Sequence, residues 1–287
     1  MGKALKVVRL RGLQVLLSVA SRLAPRLLVQ YLGKLFVTPD PSTYRHAKSR
    51  LASLEDVQRS RIQLDGEWIE TYAWGDPSCQ PFVLISHGWS SYALRFTSWV
   101  PHLLALGYAV VCFDQVGHGL STGRISHLAR FTSVLRQIGR RFGQPSVLIG
   151  HSLGASAAVF AREDGATPLR YVLIAPMLAA EEGTRRHFRE LGISPKVFAL
   201  FEEWVHQLTG QRFSDYDASD YLKNRVEPAL IIHDRQDRVT PWEEGARFAD
   251  LWPDAQLYST DGFGHNRMVD HPAVISEAMH FIGKAMP

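Results

Sequence analysis

One serine of the chain lies in a segment that can make its hydroxyl a nucleophile. The segment Ser146-Val-Leu-Ile-Gly-His-Ser-Leu-Gly-Ala joins an apolar run to a stretch of small residues and contains the pattern G-x-S-x-G at residues 150–154. Glycines on both sides of Ser152 allow a sharp turn between a strand and a closely packed helix. Such a turn exposes the hydroxyl beside the N–H groups of a helix N-terminus, which stabilise developing negative charge. The motif predicts nucleophilic attack by Ser152.

A serine nucleophile needs a base to take its proton, and the base needs an acid to orient it. Of the 12 histidines, His265 follows the last predicted strand in a glycine-containing loop, from which an imidazole can reach back over the sheet. The acid is expected after the preceding strand, because the chain order in this topology is Ser, Asp or Glu, His. Two carboxylates, Asp234 and Asp237, lie there, and both are candidates.

The elements that must carry these residues alternate along the body of the chain. Residues 62–74 alternate apolar and polar positions around Asp65-Gly66, as in an antiparallel hairpin. Short apolar runs then alternate with helix-length amphipathic segments; the runs are residues 82–86, 108–113, 146–149, 171–175, 229–232 and 256–258. This rhythm predicts an α/β fold, with a mostly parallel sheet and helices on both faces.

Five motifs, all in the same order, resemble those of the α/β-hydrolase-fold superfamily over roughly residues 60–285, and in particular its serine esterase and lipase branch. They are His87-Gly-Trp, Phe113-Asp-Gln-Val-Gly-His-Gly-Leu-Ser, the Ser152 turn, the Asp237 loop and the His265 loop. The resemblance implies the α/β-hydrolase fold and a Ser152, His265 and Asp237 triad. Asp234 stands where the family usually has glycine, so Asp234 is the reserve candidate for the acid.

The same resemblance assigns roles to residues around the nucleophile. The backbone N–H groups of Trp89 and Leu153 would form the oxyanion hole, which leaves the Trp89 side chain free to shape an acyl pocket. His87 and His118 match family positions that hold loops in shape. His151 is expected to pack against the neighbouring loop. No histidine or cysteine cluster has metal-ligand spacing and no phosphate-binding loop occurs, so neither a metal nor a cofactor is expected.

Composition and charge exclude several classes of protein. The chain has 287 residues, of which 46% are apolar and 21% charged, and it has only two cysteines. Disordered, collagen-like and disulfide-scaffold proteins are excluded, and a reducing compartment such as the cytoplasm is expected. Residues 1–40 hold seven cations and one anion, so the net charge of +4 arises in this N-terminal arm. Nucleic-acid binding is disfavoured, because these cations lie in a leucine-rich segment without a reader fold.

The N-terminal arm has the pattern of an amphipathic helix. Polar residues recur at 6, 9, 14, 18, 22, 26, 30 and 34, and leucines fill positions 13, 16, 17, 23, 27, 28, 32 and 35. Its longest charge-free stretch has about 10 residues, about half of what a bilayer-spanning helix needs. Pro25 is expected to kink this helix. Two interpretations are open: residues 1–38 lie at the inner face of a membrane, or the arm packs on the protein.

A second feature interrupts the strand–helix rhythm between about residues 177 and 227. Aromatic residues occur among charged ones there, at Phe188, Phe198, Phe201 and Trp204. We interpret this segment as a helical cap insertion. Its aromatic side chains either line an apolar pocket or hold the insertion in place. The expected organisation is an arm over residues 1–40 and an α/β-hydrolase domain with a cap over residues 41–287.

The expected activity follows from these residues. Ser152, His265 and Asp237 would cleave a small-molecule carboxylic ester, with an apolar acyl group, through an acyl-enzyme. A thioesterase, a lipase or a peptidase of the same fold is also compatible with the triad, because the pocket and the lid set the choice of leaving group. A protein of another class also remains open: a non-catalytic, membrane-associated binding protein on a hydrolase scaffold.

Overall fold

The computed structural model of the chain describes residues 2–162 and 167–284, with side chains from Arg11 onward. The described chain forms two compact units. The first combines the N-terminal residues up to Val37 with Ala179–Asp217, and the second comprises Thr38–Leu178 and the residues from Ala218 onward. The arm and the central part of the insertion therefore belong to one unit, and the strands belong to the other.

An eight-stranded sheet forms the centre of the second unit. The strands are β1 (Gln58–Leu64), β2 (Glu67–Trp74), β3 (Phe82–Ser86), β4 (Ala109–Phe113), β5 (Val147–His151), β6 (Tyr171–Ile174), β7 (Ala229–Asp234) and β8 (Ala255–Thr260). Their spatial order is β1-β2-β4-β3-β5-β6-β7-β8. The hairpin β1–β2 is antiparallel, β2 joins β4 antiparallel, and the pairs from β4 to β8 are parallel. The predicted alternation of strands and helices is confirmed.

The described residues contain twelve α-helices and three short 3₁₀ turns. The helices are α1 (Gly2–Leu23), α2 (Pro25–Val37), α3 (Ser42–Leu51), α4 (Val100–Ala105), α5 (Leu128–Phe142), α6 (Leu153–Phe160), α7 (Ala180–Glu190), α8 (Pro195–Thr209), α9 (Ser219–Lys223), α10 (Trp242–Leu251), α11 (Gly264–Arg267) and α12 (Pro272–Gly283). The 3₁₀ turns are Ala93–Ser98, Phe213–Tyr216 and Met268–Asp270. No helix in this part of the chain is both long and apolar enough to cross a membrane.

The register of the parallel strands brings the functional loops to one edge of the sheet. Ser86 at the end of β3 pairs with Gly150 of β5, and Asp234 at the end of β7 pairs with Thr260 of β8. The central strands are buried along their whole length, since helices cover a parallel sheet on both faces. The loops that follow these strands therefore start side by side at their carboxyl ends.

Helices α1 and α2 of the first unit form one interrupted helix. The N–H of Ala24 bonds to the carbonyl of Ala20 at 2.9 Å, and the N–H of Leu28 bonds to the carbonyl of Ala24 at 3.0 Å. Helical hydrogen bonds therefore continue on both sides of Pro25, which has no N–H to donate. The proline interrupts the helix at Ala24 without ending the helical pattern of the arm.

One face of this interrupted helix packs on the insertion. Leu28, Val29 and Val37 are buried, and α2 lies against α8. A Cβ atom on Gly33 would come within 2.7 Å of the Trp204 ring, so a glycine is required for this close approach. The Phe36 ring contacts Phe201 edge-on, with 5.2 Å between the ring centroids. The arm is thus part of the first unit.

The aromatic residues of the insertion form the interior of the same unit. Phe188, Phe198 and Phe201 are buried, and the Phe188 ring lies 5.5 Å from that of Phe198 and 4.8 Å from that of Phe201. Phe213 packs 6.1 Å from Phe201. These aromatic side chains therefore pack against one another inside the first unit.

Candidate active site

Ser152 lies at a strained turn between β5 and α6. Its φ of 51° and ψ of −122° place a non-glycine residue at positive φ, a conformation that persists only where the surroundings enforce it. Gly150 and Gly154 explain how the turn packs so closely. A Cβ on Gly150 would lie 2.6 Å from the Cα of Ala155, and one on Gly154 would collide with the carbonyls of Ser86 and His87. The two glycines predicted for this turn are therefore sterically required.

A chain of hydrogen bonds links the three residues that the sequence singled out. His265 Nε2 lies 2.9 Å from Ser152 Oγ, and His265 Nδ1 lies 2.7 Å from Asp237 Oδ2. With a neutral ring, the serine O–H donates to Nε2 and the Nδ1–H donates to the carboxylate. The arrangement has the geometry in which a base activates a hydroxyl and an acid orients the base.

Asp237 is held as an anion by several donors. The N–H groups of Val239 and Thr240 bond to Oδ1 at 2.8 and 3.0 Å, and His233 Nε2 lies 3.4 Å from Oδ2. Burial raises the pKa of the Asp237 carboxyl, but the hydrogen bonds from His233 and His265 and the N–H of Val239 lower this pKa by more. The net result is a pKa well below the usual range, so Asp237 carries a negative charge beside His265.

Asp234, the reserve candidate, has other partners. Its Oδ2 accepts from Thr260 Oγ1 at 2.7 Å and from the N–H of Phe263 at 2.9 Å, and its Oδ1 accepts from the N–H of Gln236. Asp234 therefore connects the end of β7 to the end of β8 and to the loop that carries His265. Asp237 therefore bonds to the imidazole of His265, whereas Asp234 bonds to the backbone of the loop that carries His265.

Two backbone N–H groups lie beside the nucleophile. Leu153 is the first residue of α6, where a helix leaves its N–H groups without intrahelical partners. A Cβ on Gly88 would lie 3.1 Å from the Cβ of Ser152, so the backbone leading to Trp89 runs directly along the serine. Within the described residues, the N–H of Trp89 has no hydrogen-bond partner. Both groups are available to an oxygen bound at Ser152.

His87 and His118 hold the loop that leads to Trp89. His87 Nε2 accepts from the N–H of Gln115 at 3.0 Å, and His118 Nε2 accepts from the N–H of Ser90 at 3.1 Å. Burial lowers the pKa of His87 to about 3 and that of His118 to about 4, so both rings are neutral acceptors. Trp89 itself packs on His118 and Phe131, with ring centroids 5.1 and 6.3 Å away. These contacts match the loop-holding roles expected of both histidines.

Two residues near the site, His233 and Arg95, received no role in the sequence analysis, and His151 was expected only to pack against the neighbouring loop. His233 supports Asp237, four residues away, whereas His151 and Arg95 bond to backbone carbonyls of the loop that carries His265. The acceptors of His151 and Arg95 are main-chain atoms far away in sequence, so spacing carries no signal for these two bonds. The described residues contain no group of three or more His, Cys, Asp or Glu side chains arranged to hold a metal ion.

Comparisons with known proteins point to the superfamily that the motifs resemble. The profile of a family described as "Serine aminopeptidase, S33" matches residues 77–210. Human monoglyceride lipase is 27% identical over 185 residues, which are 60% of this chain and 58% of that protein. A bifunctional esterase/perhydrolase of Acinetobacter calcoaceticus is 25% identical over 253 residues, 70% of this chain and 90% of its own. The chain spans about half the length of the monoglyceride lipases that it matches.

The fold agrees with solved structures as well. Alpha/beta hydrolase domain-containing protein 10 from mouse superposes with a TM-score of 0.63 at 18% identity, over 79% of this chain and 97% of that protein. At this identity the likeness shows the fold alone. The chain has the α/β-hydrolase fold, and the family match and the sequence relatives support the superfamily that its five motifs resemble. Within the superfamily, its sequence relatives include esterases and lipases by name.

Proposed function

We propose that the protein is a serine hydrolase that cleaves a carboxylic ester through an acyl-enzyme. The observation that carries this proposal is the hydrogen-bond chain from Ser152 Oγ through His265 to Asp237, with 2.9 and 2.7 Å between the bonded atoms, at a strained strand–helix turn. A serine in a non-catalytic turn needs neither this strain nor this partner. The geometry disfavours the alternative of a binding protein that only retains a hydrolase scaffold.

The first half of the reaction forms the acyl-enzyme. Ser152 Oγ attacks the ester carbonyl carbon while His265 Nε2 takes the hydroxyl proton. The carbonyl oxygen becomes an oxyanion, which the N–H groups of Trp89 and Leu153 stabilise. When the tetrahedral intermediate collapses, the bond to the alkoxy oxygen breaks, and His265 returns its proton to the leaving alcohol. Asp237 stabilises the imidazolium that exists between these two steps.

The second half repeats these steps with water. His265 takes a proton from a water molecule, and the hydroxide attacks the acyl carbon bound to Ser152. The second tetrahedral intermediate collapses, Ser152 recovers its proton, and the carboxylic acid leaves. The sequence of steps consumes one ester and one water and needs no cofactor.

The proposed substrate class is an ester with an apolar acyl group. The names of the relatives support it, because monoglyceride lipases and an esterase are among them. If the acyl group is bound, each buried methylene contributes up to about 0.8 kcal/mol, or about fourfold in kcat/KM. A thioesterase or a lipase of the same fold uses the same three residues, so p-nitrophenyl esters and acyl thioesters of matched chain length distinguish these activities.

Labelling with a fluorophosphonate probe tests the proposal directly. The probe phosphonylates a serine only when a base activates it. We expect labelling of the full chain, and we expect Ser152→Ala to abolish labelling and to lower ester hydrolysis by about 10⁴-fold or more. Ser156, which donates to the Met177 carbonyl at 3.1 Å, provides the matched control, and Ser156→Ala should stay labelled. Near-normal turnover by Ser152→Ala would exclude the assignment.

We also propose that the first unit contacts an anionic membrane through the outer face of its N-terminal arm. Leu23, Leu27, Tyr31 and Leu35 follow one another at intervals of four residues, and their exposed fractions are 80, 68, 60 and 55%. We call these four side chains the leucine ridge. Contiguous apolar side chains of this size on a surface favour a partner or a lipid interface.

Charge favours a lipid interface for the leucine ridge. Arg22, Arg26 and Lys34 of the arm are exposed next to the ridge in sequence, and Lys196 of α8 lines an open groove together with Leu23, Leu27 and Leu200. Near an anionic surface each such cation contributes about 1 kcal/mol, which salt weakens. The contacting surface therefore consists of residues from α1, α2 and α8, and not of the arm alone.

Vesicle co-sedimentation of the full chain tests the contact. Binding to vesicles containing phosphatidylserine, little binding to phosphatidylcholine alone, and weakening by salt are expected. Leu23→Ser with Leu27→Ser, and separately Arg22→Gln with Arg26→Gln, should reduce binding. Val226→Ser in the second unit, an equally exposed apolar position, should not. If both double variants bind like the unmodified chain, the ridge is not the contact.

A further inference from the structure

Two side chains from neighbouring segments bond to the backbone of the loop that carries His265. His151 Nε2 lies 3.0 Å from the carbonyl oxygen of His265, and Arg95 Nη2 lies 2.6 Å from that of Asn266. His151 is the last residue of β5, directly before the nucleophile. Arg95 belongs to the 3₁₀ turn Ala93–Ser98, which follows the loop of Trp89. The catalytic loop is therefore bonded to the nucleophile turn and to the segment after the oxyanion loop.

The two carbonyls are available because α11 is only four residues long. The last four carbonyls of a helix have no donor within that helix, so the carbonyls of this single turn accept from later residues or from side chains. The carbonyl of Asn266 accepts from the N–H of Met268 as well as from Arg95. Side chains supply two of the donors. A third donor fixes the end of the same segment, since Trp99 Nε1 bonds to the Val269 carbonyl at 2.8 Å.

The His151 ring can serve as a constant donor. A carbonyl only accepts, so the Nε2 atom must carry the hydrogen, and Nδ1 is a buried atom without a partner among the described residues. Burial, together with the nearby His265 and Arg95, lowers the pKa of His151 well below its usual value. The ring is thus neutral and keeps one tautomer, even though its centroid is 4.9 Å from the ring that becomes charged in the reaction.

We propose that His151 and Arg95 are positioning residues, which hold consecutive carbonyls of α11 so that the His265 ring meets Ser152 and Asp237 at the same time. This inference rests on the proposed function. Asp237 fixes the ring at Nδ1 only, and the backbone bonds stop the loop from sliding away from the serine. A displacement of about 1 Å between reacting groups costs about 10²-fold in rate.

Paired substitutions separate positioning from packing. His151→Leu removes the donor and keeps an apolar side chain, whereas His151→Gln keeps an N–H at about the place of Nε2. Arg95→Met and Arg95→Lys form the corresponding pair. For each purified full-length variant we would measure the fluorophosphonate labelling rate, kcat and KM for a p-nitrophenyl ester, and Tm.

We expect His151→Leu to lower the labelling rate and kcat by about 10- to 100-fold with little change in KM. His151→Gln should recover most of the loss, and Arg95→Met should lose less than His151→Leu, because its carbonyl is one residue further from the ring. The double variant His151→Leu with Arg95→Met should lose less than the product of the single losses, since both act on one loop.

Several results would overturn the inference. If His151 has a merely structural role, His151→Leu lowers Tm while kcat per labelled serine stays normal. A structural role also predicts that His151→Gln and His151→Leu lose the same fraction of kcat. If His151→Leu does not fold, the Arg95 pair decides by the same criteria, because the Arg95 side chain is 22% exposed. If the unmodified chain is not labelled at all, the proposed function itself fails; if it is labelled and His151→Leu is labelled as fast, only the positioning role fails.

Discussion

The candidate active site and the leucine ridge of the arm differ in the kinds of side chain that they bury and expose. At the site, polar groups are buried, and each carboxylate oxygen of Asp234 and Asp237 accepts at least one hydrogen bond. On the ridge, large apolar groups are exposed. Buried polar groups are costly unless they are paired, and exposed apolar groups are costly unless something covers them. The polar groups of the first region are therefore paired within the chain, whereas the apolar side chains of the second are covered only if the proposed membrane contact exists.

The largest expected effect is the difference in kcat between variants of Asp237 and variants of Asp234. Asp237→Asn should lower kcat by about 10⁴-fold, because the amide disrupts the orientation of His265. Asp234→Asn should lower the free energy of unfolding by about 1–3 kcal/mol, since the N–H of Phe263 or the Thr260 hydroxyl loses an acceptor, with a smaller loss of kcat. Steady-state kinetics and urea unfolding of both variants measure this. The reverse order of kcat losses would move the acid to Asp234.

A second prediction concerns His118, a buried histidine that bonds to the loop of Trp89. The pKa of His118 is lowered to about 4, so the unfolded chain binds a proton at this residue below about pH 6.5 while the folded chain does not. The contribution of His118 to the free energy of unfolding is therefore fully present above about pH 6.5 and decreases as the pH falls towards 4. At about pH 5, about 2 kcal/mol of this contribution is lost. His118→Asn should be less stable near neutral pH but should lose about 2 kcal/mol less on acidification, as measured by urea unfolding. An unchanged pH dependence would show that the ring is protonated in the folded protein.

A third prediction tests the buried face of the arm. Gly33→Leu should lower the free energy of unfolding by about 1–3 kcal/mol, because the side chain has to occupy the space of the Trp204 ring. Gly12 is the control within α1, because a Cβ atom there would have no neighbour within 4 Å, and Gly12→Leu should cost nothing. Calorimetry on both variants measures the difference. Equal Tm values for the two would mean that α2 does not pack on α8 in solution.

The smallest expected effect belongs to the ridge itself. Leu27→Ser should change the free energy of unfolding by no more than about 0.5 kcal/mol, since the side chain is 68% exposed. The buried neighbour Leu28 offers the contrast, and Leu28→Ala should cost about 2–5 kcal/mol. Chemical unfolding of the two variants, one position apart, compares the faces directly. A large loss for Leu27→Ser would mean that the chain itself covers the ridge.

The sequence predicted the strands well because they depend on local patterns, and the turn that carries Ser152 has a local pattern too. Apolar runs and the glycines around Ser152 are sufficient to place β5, the turn and α6. Residue types alone left Asp234 and Asp237 open as the acid, and the family spacing favoured Asp237. In the structure, the turn after β7 brings the Asp237 carboxylate to His265. The roles of His151 and Arg95 could not be predicted, because their acceptors are backbone carbonyls more than 100 residues away.

The arm illustrates a further limit of sequence patterns. Its period predicted a helix kinked at Pro25, and its leucines indicated an apolar side. The structure buries Leu28 on α8 but leaves Leu23 and Leu27 exposed, and the closest approach is made by Gly33. An amphipathic pattern gives the period of a helix, whereas the buried stripe depends on a partner helix that lies far along the chain.

The pairing of α2 with α8 also has a consequence for the nascent chain during synthesis. Val37 ends α2 and Pro195 begins α8, so about 160 residues separate the partners. At about 5–20 residues per second, the ribosome needs roughly 8–30 s to add them. During this time both the ridge and the face that carries Leu28 and Val29 are uncovered on the nascent chain. A chain that stops before Pro195 lacks α8 and never covers that inner face, so such truncated products should depend on chaperones far more than the full-length protein does.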